Sequence, residues 1–243
     1  MRHPDGDMAL TEHRDPFALR AHYEAQGREA LASGQTLCCS EPTVTRAVLD
    51  LILPHVDSVT RILDVGCGAN LHYDLPLADR GVNVVAVDFA ESFLALAPRH
   101  PRIELLRADA TNLPFERSEF DAVICSETVE HVVDDRAVLR EIARVLVPSG
   151  LLVFTVPLLW NLSRLLDMLK RRSTSITLME GHLREYTRST ALELLEENFR
   201  VLRIVPVPFG WRGPLGGPLD ALVRSGLLAR ASKSFAVLAR RKT

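Results

Sequence analysis

Residues 61–70 read RILDVGCGAN, and the reading of this stretch decides the fold. Ile62, Leu63 and Val65 form a short apolar run of the kind a strand buried in a parallel sheet shows, with one acid, Asp64, inside it. Gly66-Cys67-Gly68 follows at once. An acid at a strand end followed by G-x-G marks a sharp turn that brings bare backbone close to a ligand. Asp88 stands 20 residues after Gly68, at the end of a second apolar run over 82–87. One turn, one helix, one strand and then a carboxylate is the spacing that recognition of two ribose hydroxyls requires. A lone G-x-G is weak evidence, but the pair in a strand–turn–helix–strand context is much stronger.

Outward from this stretch, strands and helices alternate. Upstream, 15–33 reads as a helix and a second runs from about residue 40 to Pro54, its Val44, Ala47, Val48, Leu51 and Ile52 at helical spacing. Both precede the first strand and are placed to cover the strand ends. Downstream, a helix is expected at 71–80 and another at 89–97, stopped by Pro98. Strands follow at 103–106 and 120–125, then a helix capped by Asp134 or Asp135, a turn at 148–150 and a fifth strand at 151–156. Further elements are a helix at 188–198, a strand at 201–207 frayed by prolines, an irregular loop at 209–218, a helix at 219–231 and a last strand at 234–239. Such alternation implies an α/β fold, a doubly wound parallel sheet covered on both faces. Its ligand binds beyond the C-terminal strand ends where the winding reverses, and Gly66, Asp88, Asp109 and Ser126 all fall there.

The totals narrow the function classes. The chain has 243 residues, 47% of them hydrophobic, enough for one large core. No apolar run approaches the roughly 20 residues of a membrane span. Residues 1–14 are polar and read as a disordered tail. A net charge of −2 gives no general attraction to nucleic acid. The cysteines, Cys38, Cys39, Cys67 and Cys125, lack C-x-x-C spacing and read as reduced thiols, so no metal site is expected and the cytoplasm is the expected compartment.

Four segments carry a family resemblance: ILDVGCG, VVAVDFAESFLALA, ADATNLPFERSEFDAVICSETVEHV and LREIARVLVPSGLLVFTVP, in order over residues 61–157, with GHLREYT following at 181–187. Together they resemble the class I S-adenosylmethionine-dependent methyltransferases, in the UbiE/UbiG-like small-molecule group (methyltransferase type 11). The resemblance implies a Rossmann-like seven-stranded sheet whose last strand is antiparallel, with S-adenosyl-L-methionine as cofactor. It implies that Gly66 and Gly68 approach the methionine moiety with Asp64 beneath its amino group, and that Ser126 and Glu127 line the same end. Asp88, with Phe89 beside it, would take the ribose, and Asp109 and Ala110 the adenine. NAD-binding proteins carry G-x-G-x-x-G, whereas this chain reads G-C-G-A-N-L, which favours the methyltransferase over a dehydrogenase. The expected organisation is one domain over 15–243, with cover helices at 15–54 and lid segments at about 158–187 and 209–231.

Several of these residues also have plainer roles. Asp88 fits a helix cap and Asp109 a turn. His131, just past the fourth strand, suits a general base for a hydroxyl or amine acceptor, and equally a loop histidine bonding backbone. Tyr23, Trp160, His182, Arg184 and Tyr186 are candidate acceptor contacts, and Arg184 fits pinning of the loop better. The leucine face over 158–169, the basic cluster 170–172, Phe209 and Trp211 suggest a lid over a lipophilic acceptor, with a membrane surface as a candidate peripheral contact. Methyl transfer to a small lipophilic acceptor is therefore the expected activity. Nucleic-acid methylation and a non-catalytic cofactor-binding subunit are the alternatives, and the oligomeric state is not legible.

Overall fold

The computed structural model describes residues 16–33, 42–158, 182–208, 216–227 and 232–243. Two helices lead, α1 (Pro16–Ser33) and α2 (Pro42–Ile52). Then come β1 (Arg61–Val65), α3 (Asp74–Ala78), β2 (Asn83–Asp88), α4 (Glu91–Leu96), β3 (Ile103–Arg107), β4 (Phe120–Ser126), α5 (Asp135–Val145) and β5 (Leu146–Pro157). The chain closes with α6 (Arg188–Glu196), β6 (Phe199–Val207), α7 (Gly216–Arg224) and β7 (Ser234–Arg241).

All seven strands join one sheet in the order β3-β2-β1-β4-β5-β7-β6. β1 pairs in parallel with both β2 and β4, so the winding reverses at its C-terminal end. β7 runs antiparallel between β5 and β6, as the resemblance implies. β6 is an edge strand, which is where Pro206 is tolerated.

Alternate residues of the central strands serve opposite layers. Leu63, Val65, Val85, Val87, Val123 and Cys125 pack with Val138 and Ile142 of α5 and Leu194 and Leu195 of α6. Ile62, Val84, Ala122 and Ile124 pack with Val44, Val48 and Leu51 of α2 and Leu77 of α3. Burial on both faces explains why these strands read as continuous apolar runs. Asp134 caps α5 through the Ala137 amide at 2.8 Å, and Thr187 and Thr190 form a reciprocal cap on α6.

Three expectations need correction. The helix expected over 71–80 shrinks to five residues, because Leu71 takes a left-handed conformation (φ 49°) and delays its start. The turn at 148–150 is absorbed into β5 as an irregularity where the register against β4 shifts, with Ser149 at φ 64°. α7 begins at Gly216, inside the expected loop, and ends at Arg224. Among the described residues no helix is long and apolar enough to cross a membrane. Cys38, Cys39, Trp160, Phe209, Trp211, the leucines 159–169 and the basic cluster 170–172 lie outside the described residues.

Candidate functional site

The turn after β1 is fixed by β2: the amides of Gly66 and Cys67 both donate to the Val87 carbonyl, at 2.8 and 3.0 Å. Gly66 has φ +80°, and a Cβ there would lie 2.5 Å from the Thr128 side chain. Thr128 cannot yield easily, since its hydroxyl bonds the Val65 and Ser126 carbonyls at 3.1 and 3.0 Å. Gly68 differs: it too has positive φ, +61°, but a Cβ would meet nothing within 4 Å. Its backbone faces open space, as a cradle for a closely approaching ligand requires. Asp88 closes the turn, accepting from the Gly68 amide at 3.0 Å and the Ala90 amide at 2.9 Å. Burial pushes its pKa up against those two bonds. Capping of α4 falls to Glu24 of α1, whose carboxylate accepts from the Glu91 and Ser92 amides at 2.7 and 3.3 Å.

Two cavities lie among these residues. The smaller, about 120 Å³, is bounded by Gly66, Gly68, Tyr73, Ser126, Glu127 and Lys233. Thr155 donates to Glu127 Oε1 at 2.9 Å, so the hydroxyls of Tyr73, Ser126 and Thr155 form one donor chain ending on that carboxylate, with 2.8 Å at each earlier link. Glu127 is held in a left-handed conformation, φ 51°. Behind this wall lie Asp64 and Asp74, 1% and 0% exposed. Asp64 Oδ2 and both Asp74 oxygens meet no hydrogen-bond donor among the described residues.

The larger chamber, about 530 Å³, lies between α1 and the ends of β2 and β3, with Arg20, Glu24, Phe89, Arg107 and Asp109 in its walls. Asp109 accepts from the Thr111 amide and hydroxyl at 2.9 and 2.7 Å and pairs with Arg20. Burial would raise its pKa, but the Thr111 bonds and the Arg20 guanidinium outweigh it and hold the carboxyl low. Asp109 thus makes the turn, while its side chain stays about one-third exposed. Ala110 is half-buried against the core beside it.

The acceptor candidates gather around His131. Tyr23 reaches from α1 to place its hydroxyl 2.7 Å from His131 Nδ1. The Tyr23 ring meets Phe89 and Phe93 edge-on, and His182 packs edge-on against His131 with centroids 4.8 Å apart. Glu130 is fully buried, which drives its pKa well up, and its Oε1 stands 3.9 Å from His131 Nε2, beyond hydrogen-bond reach. Donor atoms of Glu130, His131 and His182 lie within 4.8 Å of one another, a set that could hold a metal ion and that sequence spacing did not reveal. Arg184 and Tyr186 sit away from this cluster, both on Asp135, at 2.9 and 2.7 Å, and Arg184 also donates to the Val133 carbonyl. They pin 182–187 over the start of α5, with the Leu183 amide on the Glu130 carbonyl at 2.8 Å. Trp160, the remaining acceptor candidate, lies outside the described residues. Sequence reasoning missed Arg20, Glu24, Tyr73, Asp74, Thr128 and Thr155. Asp74 alone left a signal, an acid within the stretch expected as a helix over 71–80.

Comparison with known proteins bears on this cleft directly. Residues 63–154 match the family model described as a methyltransferase domain. The chain is similar to a demethylmenaquinone methyltransferase of Paenarthrobacter aurescens, 40% identical over 109 residues that cover 42% of this chain and 43% of the relative. It is likewise similar to a ubiquinone biosynthesis O-methyltransferase of Bradyrhizobium diazoefficiens, 40% identical over 97 residues, 38% of each. The chain thus spans under half the length of these relatives. Among solved structures, a chain from the complex of the Haloferax volcanii Trm112 methyltransferase activator with a methyltransferase shares the fold. It has a TM-score of 0.65 and 17% identity, over 93% of this chain and 98% of that one. The residues present fit S-adenosylmethionine on two counts: the open backbone at Gly68, and the unsatisfied carboxylates beside it, which suit a ligand with a cationic end. The central segment of the chain, residues 63–154, is thus similar to a methyltransferase domain, and it lies on a sheet wound in the order β3-β2-β1-β4-β5-β7-β6.

Proposed function

We propose that the protein transfers a methyl group from S-adenosylmethionine to a hydroxyl or amine of a small lipophilic acceptor. The observation that carries this reading is His131, part-open at the site, with Nδ1 held by the Tyr23 hydroxyl at 2.7 Å. In the proposal Gly66, Gly68, Asp64, Ser126 and Glu127 hold the cofactor's methionine end, Asp88 and Phe89 the ribose, and Asp109 and Ala110 the adenine. The bound cofactor supplies an electrophilic methyl group on a sulfonium. The chain's own task is alignment, exclusion of water and removal of one proton. His131 takes the acceptor's hydroxyl proton as the oxygen attacks, and Tyr23 fixes the ring that receives it. The lipophilic class is supported by the names of the relatives, two quinone-pathway methyltransferases. The net charge of −2 supports a small molecule over nucleic acid, and the free thiols Cys67 and Cys125 support a cytoplasmic setting.

The Glu130–His131–His182 donor set favours a second reading, in which a divalent cation there binds the acceptor's oxygens. Methyl-labelled cofactor and a panel of hydroxylated aromatic and isoprenoid acceptors test both. Labelled lipophilic product formed in the presence of a chelator supports His131 as base. Product lost on chelation and restored by added cation supports the metal reading. Label appearing only in polar metabolites or RNA overturns the lipophilic acceptor.

A further inference from the structure

β7 runs against the parallel strands, so it begins at the edge of the sheet where β1, β4 and β5 end. Its first residue, Ser234, pairs with Pro157 at the end of β5 and with Val207 at the end of β6. Lys233, just before it, is therefore carried to the ligand edge although it lies far beyond the glycine turn in sequence. Its backbone is clamped on both sides: the amide donates to the Val207 carbonyl at 3.2 Å, and the carbonyl accepts from the Leu158 amide at 2.9 Å. Lys233 thereby stands in the wall of the smaller cavity with Gly66, Gly68, Ser126 and Glu127. Among the described residues of that wall it is the cation and Glu127 is the acid. His72, in the same wall, is pushed toward its neutral form by burial.

We propose that Lys233 binds the carboxylate of the cofactor's methionine moiety, and thereby selects the complete cofactor over adenosyl sulfonium compounds that lack that group. The inference rests on the cofactor reading and is independent of the acceptor. The amino-acid end of S-adenosylmethionine is a zwitterion, an ammonium and a carboxylate on one carbon. A cavity of about 120 Å³ whose described walls carry an acid and a lysine is complementary to it. The adenosine suits the larger cavity of about 530 Å³, where Phe89 offers an aromatic wall. An ionised carboxylate leaving water needs strong donors in exchange. The glycine turn does not supply them, because its amides are already committed: those of Gly66 and Cys67 to the Val87 carbonyl, that of Gly68 to the Asp88 carboxylate. The hydroxyls of Tyr73, Ser126 and Thr155 are committed too, to one another and to Glu127. Lys233 brings a full positive charge and three N–H donors to the same wall.

Equilibrium titration of the intact protein with S-adenosylmethionine and with decarboxylated S-adenosylmethionine isolates this contact. The two ligands share adenosine, sulfonium and ammonium, and differ in the carboxylate alone. The wild-type protein should prefer the complete cofactor by about 10–100-fold, the range of a hydrogen bond between charged groups. In Lys233→Gln the preference should fall to within about threefold, through lost affinity for the complete cofactor while the analogue binds as before. Lys233→Arg, which keeps the charge, should retain most of the preference. Equal affinities in the wild-type protein, a comparison that needs no variant, overturn the inference. So does a preference that survives in folded Lys233→Gln. Loss of affinity for both ligands by the same factor also overturns it, since the lysine would then only support the start of β7. Failure of the wild-type protein to bind either ligand overturns the cofactor reading itself, an outcome distinct from binding both equally.

Discussion

The glycine turn after β1 and the cluster around His131 occupy the same edge of the sheet, yet they are assembled in opposite ways. The turn is held through backbone: the amides of Gly66 and Cys67 donate to the Val87 carbonyl, and that of Gly68 to the Asp88 carboxylate, at the ends of adjacent parallel strands. The cluster is made of side chains from segments far apart in sequence. Tyr23 and His131 are 108 residues apart, and His182 arrives from beyond β5. A site built from backbone writes itself into a short contiguous stretch. A site built from distant side chains offers its members one by one, and no short stretch records that they meet. Substitutions should divide accordingly, striking cofactor binding in one region and turnover in the other.

The largest effect expected is from Gly66→Val. The branched side chain would demand an unfavourable φ of +80° and would overlap Thr128, so calorimetry should detect no cofactor binding at all. Gly68→Ala keeps its space and meets only the conformational cost, so it should weaken binding without abolishing it. If the two variants behave alike, close packing against Thr128 is not what selects glycine at 66. Next comes His131→Ala, which should lower turnover on a hydroxyl acceptor by ~10²–10⁴-fold while cofactor affinity stays near wild type. Unchanged turnover at saturating acceptor would make the histidine structural and the acceptor already nucleophilic.

Asp88→Ala removes a carboxylate that also receives two amides, so its effect combines lost ligand contact with a loosened turn. Cofactor affinity should fall by roughly 1.5–3 kcal/mol, the usual range for hydrogen bonds to a charged group. A lowered melting temperature with affinity intact would confine Asp88 to the turn. Tyr23→Phe keeps the edge-on ring contacts and removes one bond to His131 Nδ1, worth about 0.5–1.5 kcal/mol. It should reduce kcat about 2–10-fold with KM for the cofactor unaltered. The smallest effect is on stability. Burial holds the Asp74 carboxyl above its ordinary value, to about 6, so the ligand-free protein loses stability as pH rises from that ordinary value through 6. Asp74→Asn should therefore raise the melting temperature at pH 7.5 by roughly 2–5 °C, and by less at pH 4.

The same contrast explains what was legible in the sequence. The parallel strands and the glycine turn ahead of Asp88 could be read because apolar runs, glycines and Asp88 recur at fixed short spacing. Asp109 and Ser126 could be placed because strand ends of a doubly wound sheet all point to one edge. The α3 helix was overestimated because a leucine in a left-handed turn looks, in sequence, like any helical leucine. Glu24 as the cap of α4, Arg20 on Asp109 and Thr128 against Gly66 depend on how α1 and the 126–131 turn fold back, which no spacing encodes. Arg184 and Tyr186 were candidates for the acceptor, and the structure engages both with Asp135, far back in the sequence.

The central claim, that this edge of the sheet is a cradle for S-adenosylmethionine, is tested most directly by equilibrium titration of the intact protein with that cofactor, its demethylated product and NAD. The account predicts saturable, micromolar binding of the first two, each displacing the other, and no binding of NAD. Preferential binding of NAD, or no binding of S-adenosylmethionine by the folded protein, would contradict it.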